Sequence, residues 1–183
     1  MTFPLTFNST ESPKCYGEKL LYSASVGLTA LLLSQTAAAI TTKNITYTVD
    51  NQAYEGYYAK ADKANAPFIL LIHDWDGLTD YERKRADMLA SEGYNVLAAD
   101  MFGQGIRPTT MEDNKRLTAA LYDDRSKMRR LLQGALNAGQ AQGNDARTGV
   151  TMGYCFGGTV ALELARSGFP QKAFVPFHGA FDT

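Results

Sequence analysis

The sequence predicts an α/β fold: a mostly parallel sheet with helices on both faces. Three observations carry this. Residues 67–72 (PFILLI), 95–99 (NVLAA) and 172–177 (KAFVPF) are short, nearly continuous apolar runs, the pattern of strands covered on both sides. Stretches with apolar residues at helical spacing separate them, as in chains that cross over between parallel strands. Near residue 155, a further apolar run passes into a helical pattern through a glycine-rich turn.

Taken in order, residues 46–50 and 54–60 alternate enough to predict two strands joined by a turn at Asn51-Gln52. The run 67–72 is the first buried strand. Thr79-Asp80-Tyr81-Glu82 is a capping box opening a helix that runs to Glu92 and stops at Gly93. Its charged string Glu82-Arg83-Lys84-Arg85 reads as a solvated face. The strand 95–99 ends at Asp100. Thr109 with Glu112 forms a second capping box, and Leu117, Leu121, Met128, Leu131, Leu132 and Ala135 follow near helical spacing, with a break at Asp123-Asp124. Residues 147–154 predict a strand with Val150, Met152 and Tyr154 on one face. Val160, Ala161, Leu164 and Ala165 mark one face of the next helix, with Gly168 as its cap. The run 172–177 is the last strand and leads to His178.

The turn at 153–158, Gly-Tyr-Cys-Phe-Gly-Gly, has the spacing of a nucleophile elbow. Small residues two positions either side of Cys155 allow a turn too tight for side chains, which lifts the thiol clear of the sheet edge. The thiol sits at a helix N-terminus, whose partial positive charge favours thiolate. The Phe156 N–H then points into the site as an oxyanion donor. The alternative is a glycine-rich turn holding an inert core cysteine. Ligands of parallel sheets bind beyond the carboxyl ends of the strands. His73-Asp74-Trp75, Asp100-Met101-Phe102, Cys155 and His178 all fall at such ends, so one rim gathers the chemically able residues.

The composition is that of one globular domain: 183 residues, 45% hydrophobic and 20% charged, with a formal net charge of −1. No basic stripe points to nucleic acid. With two histidines and no C-x-x-C pair, neither a metal site nor a cofactor is expected. The amino end reads as a leader. Lys19 precedes an uncharged stretch, residues 20–33, and Ala37-Ala38-Ala39 forms an A-x-A site, predicting cleavage after Ala39. Its polar Ser and Thr residues argue against the rival, a membrane anchor. Residues 1–39 are therefore expected to be a signal peptide with a long n-region, and 40–183 an exported domain with no stable membrane insertion. Cys15 is lost with the leader, leaving Cys155 as the single thiol and no internal disulfide.

With these residues in view, the chain resembles the dienelactone hydrolase (carboxymethylenebutenolidase) family of α/β-hydrolases over residues 44–183. The resemblance rests on His73-Asp74-Trp75-Asp76-Gly77-Leu78, Asp80-Tyr81, Ala99-Asp100-Met101-Phe102-Gly103, the Gly153–Gly158 elbow and Phe177-His178-Gly179. It implies a Cys-His-Asp triad that hydrolyses a small ester or lactone through an acyl-thioester. It makes Cys155 the nucleophile and Asp74, usually Glu in the family, the carboxylate that pairs with the resting thiol. The Trp75 N–H becomes the second oxyanion donor beside Phe156, with the Trp75 ring walling the acyl pocket. Arg83, Arg85, Arg107 and Arg116 are candidates to hold a substrate carboxylate.

The family's triad acid and histidine follow strands that come after 172–177, and this chain stops at Thr183. The expectation is a C-terminally incomplete family member, poorly soluble and hydrolytically weak, with Phe174, Val175 and Phe177 on an unpaired apolar edge. His178 or His73 could substitute as base to Cys155. A non-catalytic module and a redox role for the lone thiol remain the alternatives from other classes.

Overall fold

The computed structural model describes residues 39–181. The leader up to Ala38, Cys15 and the membrane-anchor alternative lie outside the described residues. Among the described residues no helix is long and apolar enough to cross a membrane.

The chain runs β1 (Thr41–Val49), β2 (Gln52–Lys60), β3 (Phe68–Ile72), α1 (Asp80–Ser91), β4 (Asn95–Ala99), α2 (Met111–Asp123), α3 (Arg125–Ala141), β5 (Val150–Tyr154), α4 (Phe156–Arg166) and β6 (Ala173–Phe177). The sheet order is β1-β2-β4-β3-β5-β6. The β1/β2 hairpin joins antiparallel, and β4, β3, β5 and β6 run parallel. This is the mixed, mostly parallel sheet of an α/β-hydrolase fold.

The apolar runs have a direct physical consequence. In β3 every side chain is buried. Phe68, Leu70 and Ile72 face a cluster built with Leu131, Leu132 and Leu136 of α3 and Val160 and Leu164 of α4. Ile69 and Leu71 face the opposite cluster, with Ala86 and Ala90 of α1. Helices therefore cover both faces, because a strand whose two sides are apolar leaves neither to water.

Three local expectations move. The hairpin turns at Asp50-Asn51, not Asn51-Gln52: both residues have positive φ (50° and 62°), and Val49 pairs with Gln52. Asp and Asn tolerate that conformation, which a two-residue hairpin loop demands twice. The second capping residue is Thr110, whose hydroxyl accepts from the Asp113 N–H at 3.1 Å, one residue later than the Thr109/Glu112 reading. The Glu82–Arg85 string is not a solvated face. Glu82 is buried with its carboxylate on the Thr79 N–H and hydroxyl (2.8 and 2.7 Å), and Arg85 turns inward to the Tyr154 hydroxyl at 3.1 Å. The other signals hold: the Thr79 capping box, the break at Asp124 and the positive φ of Gly168. β6 is the outer strand among the described residues, with Phe177 38% exposed. It is not bare, since Phe174 packs on the α3/α4 cluster and Val175 on the α1 cluster.

Two polar residues at the strand ends fix the rim. Asp100 is fully buried. One carboxylate oxygen accepts from the Phe102 and Gly103 N–H groups (both 3.0 Å), and the other from the Glu55 N–H at 3.2 Å. It ties the end of β4 to β2 and is a structural staple. Tyr47 donates to the Asp100 carbonyl at 2.9 Å, locking β1 to the same corner. Asp100→Ala strands these three donors, and an expected loss of about 3 kcal/mol should appear as a lower urea midpoint with an unchanged slope.

Candidate active site

Cys155 makes the whole turn between β5 and α4. Its backbone sits at φ 48° and ψ −110°, a conformation that costs a side-chain-bearing residue about 1–3 kcal/mol. Neighbours enforce it. The Cys155 N–H donates to the Phe177 carbonyl at 2.9 Å, and the Thr159 N–H donates to the Cys155 carbonyl at 3.2 Å. Glycine clearance does the rest. A Cβ on Gly157 would lie 2.5 Å from the Ile72 carbonyl oxygen and 2.6 Å from that of His73, and one on Gly153 would run into the Gly157 carbonyl. The spacing of the motif is thus a requirement of α4 seating directly on the end of β3.

The thiol is half-buried and free. The pull of the helix terminus toward thiolate is opposed at this site. Burial pushes the Cys155 pKa up, and the charge and hydrogen bond of the neighbouring Asp74 carboxylate push it the same way; only the Phe156 N–H opposes them. The Asp74 carboxylate lies near enough for its charge to act on the thiol. It also accepts from the Trp75 N–H at 2.5 Å through Oδ1, so this donor is engaged. The Trp75 ring packs on the main core cluster.

His73 does not take the role of base in the described geometry. His73 is fully buried between Phe102 and Phe156, with ring centroids 4.6 and 5.7 Å away. Its Nε2 accepts from the Met101 N–H (3.1 Å) and its Nδ1 faces the Asp74 carbonyl (2.6 Å), which makes Nδ1 the protonated nitrogen. Burial lowers its pKa, so the ring stays neutral and holds the β3 and β4 ends together. His178, at positive φ (44°), is exposed beside the elbow.

Of the four candidate arginines, three are engaged elsewhere. Arg83 meets Asn44 (2.7 Å) and Glu55 (4.0 Å), Arg116 pairs with Asp113 (2.8 Å), and Arg107 donates to the Ile106 carbonyl (2.7 Å) near Asp100. Arg85 is the one that reaches the site, through the Tyr154 hydroxyl.

A cavity of about 280 Å³ opens beside the elbow, lined by Asp74, Asp76, Tyr81, Glu82, Tyr154 and His178. Burial raises the Asp76 pKa, and the Glu82 and Asp74 charges add to the effect. A larger cavity, about 730 Å³, lies at the opposite ends of the strands, among Lys60, Lys63, Asn95 and Lys172, away from the thiol. The sequence reading missed Asp76 as a wall, Tyr154 as a cavity residue and Tyr122 altogether. Tyr122 packs edge-on to Phe156 with centroids 5.6 Å apart. Its position just before the Asp123-Asp124 break was the available signal.

The chain is similar to known proteins. The dienelactone hydrolase family model matches residues 32–183. Among solved structures, m3DLH is 36% identical with a TM-score of 0.74, the alignment covering 78% of this chain and 60% of that one. A dienelactone hydrolase-like promiscuous phosphotriesterase from metagenomic libraries is 35% identical with a TM-score of 0.72, covering 77% and 60%. A dienelactone hydrolase-type structure from Klebsiella pneumoniae subsp. pneumoniae, at 19% identity and a TM-score of 0.67, shares the fold. No curated protein matches the sequence. The chain spans 60% of the length of the first two structures. By its family match and by the elbow built around Cys155, the chain belongs to the dienelactone hydrolase family.

Proposed function

We propose that the chain carries the nucleophile part of a hydrolase that cleaves small esters or lactones, of dienelactone type, through an acyl-thioester on Cys155. The observation that supports this most is the placement of Cys155 alone at a strained turn, with Asp74 against its sulfur. A neutral resting thiol also suits the lone thiol of an exported domain, since oxidation acts on the thiolate.

In this reading the substrate carbonyl approaches Cys155 and the thiol proton passes to Asp74. The sulfur bonds to the carbonyl carbon while the C=O pair moves onto oxygen. Phe156 N–H receives that oxyanion. Protonated Asp74 no longer holds the Trp75 N–H as a carboxylate does, and this second donor turns to the oxyanion. Collapse expels the alkoxide and leaves the thioester. Arg85 is the candidate to meet an anionic substituent.

A second reading, a non-catalytic module, draws on the raised thiol pKa. The same reading of the chain extends to export: β1 opens at Thr41, just past the proposed cut after Ala39, and amino-terminal sequencing of the mature protein should begin at Ile40.

Mixing the protein with p-nitrophenyl acetate should release nitrophenol and leave an acetyl group on the peptide containing Cys155, detected by mass spectrometry. Cys155→Ala should lose both signals. Asp74→Asn, which cannot accept the thiol proton, should slow acylation about 10²-fold or more near neutral pH. Nitrophenol release that survives Cys155→Ala, or no adduct at all in the wild type, supports the non-catalytic reading instead.

A further inference from the structure

Glu163 lies on α4, and its side chain is only 3% exposed. A buried carboxylate needs a positive partner. The facing helix, α3, offers two at i,i+4 spacing, Arg125 and Arg129. Arg129 takes the bond: its Nε and Nη2 reach Glu163 Oε1 at 2.7 and 2.6 Å. One guanidinium is enough to neutralise this carboxylate.

Two more guanidiniums nevertheless gather at its other oxygen. Arg125 Nη1 and Arg166 Nη1 each stand 3.7 Å from Oε2, beyond hydrogen-bond reach. Arg125 Nη1 is buried and has no hydrogen-bond partner. Both side chains are held where they are by other contacts. Arg125 Nε donates to the Tyr122 carbonyl at 3.1 Å, with the guanidinium 5.2 Å from the Tyr122 ring centroid. Arg166 Nη2 donates to the Phe181 carbonyl at 2.9 Å. The place is unfavourable for a cation, because Arg125 opens α3, where the helix end is itself partly positive. Asp124 beside it is spent on the helix cap, accepting the Lys127 N–H at 2.8 Å. Three guanidiniums against one carboxylate leave two positive charges that no other carboxylate pairs with among the described residues. Solvent reaches both side chains, Arg125 at 25% and Arg166 at 29% exposure.

We propose that Arg125 and Arg166 form a binding site for an oxyanion, a phosphate or a carboxylate, which docks beside Glu163 where α3, α4 and the segment after β6 meet. Planar guanidiniums match the oxygens of such an ion, and they bind it by charge and hydrogen bond together. The ion neutralises the excess charge and gives the two guanidiniums the acceptors that Glu163 does not. No covalent bond forms or breaks. The inference goes beyond the ester chemistry and does not depend on Cys155 acting as a nucleophile.

Isothermal titration calorimetry of the full chain with inorganic phosphate, and separately with acetate, tests the site at constant ionic strength. Saturable binding of one ion per chain is expected. Saturation by phosphate alone assigns a tetrahedral oxyanion, and saturation by both ions extends the site to carboxylates. Arg125→Gln should weaken binding about tenfold or more. Arg130→Gln, whose guanidinium pairs with Asp50 at 2.7 Å, should leave it unchanged. The thermal midpoint gives a second readout: phosphate should raise it more in the wild type than in Arg125→Gln, whereas general exclusion of the salt raises both equally. No saturable heat with either ion, an equal rise in both proteins, or binding that survives both Arg125→Gln and Arg166→Gln overturns the site. Because every readout is binding, its failure leaves the acyl chemistry of Cys155 untouched.

Discussion

The approach of α4 to the end of β3 is the constraint on which the site depends. The first turn of α4 lies so close to the Ile72 and His73 carbonyls that only a glycine fits at 157. That contact leaves one residue, Cys155, to reverse the chain between β5 and α4 at positive φ. The strain is supported from several sides. The Phe177 carbonyl holds the Cys155 amide, and the Phe156 ring is anchored in an aromatic stack with His73, Phe102 and Tyr122. Relaxing the elbow would require the β3, β4 and α2 ends to move together.

The electrostatics of the thiol follow from where that turn puts it. A helix terminus pulls toward thiolate, but its field is weak beside the loss of hydration and the adjacent carboxylate. Burial raises the thiol pKa most, and the adjacent Asp74 charge raises it further. The same carboxylate holds the Trp75 N–H. One side chain therefore keeps the nucleophile neutral and occupies a donor that the reaction needs. Removing its charge by protonation changes both conditions together, which links generation of the nucleophile to completion of the oxyanion site.

Much of this was legible in the sequence, for reasons that differ by element. The apolar runs identified β3 and β4 because strands covered on both faces tolerate no polar residue; β6 has the same kind of run with its residues half-buried or exposed. Thr79 and Gly168 marked helix ends because unsatisfied backbone groups need such residues there. The elbow was readable because its glycines are dictated by backbone clearance. What failed depended on contacts across the fold. Glu82, Arg83 and Arg85 looked like a solvated string, yet Tyr154, Glu55 and the helix cap draw them in. His73 and Asp100 looked chemically able at the rim and proved to be staples, since their hydrogen-bond partners lie on other strands. Tyr122 was marked only by its place before the Asp123-Asp124 break, because its packing against Phe156 exists only once α2 and α4 are assembled.

The central claim is that Asp74 holds the Cys155 thiol neutral at rest. The most direct measurement is the rate of Cys155 alkylation by iodoacetamide against pH, for the wild type and for Asp74→Asn. The wild-type profile should rise with a midpoint above the ordinary thiol value of about 8.5. The substitution removes the negative charge, so its midpoint should move down. A wild-type midpoint well below that of an ordinary thiol, or a profile unmoved by Asp74→Asn, would contradict the account.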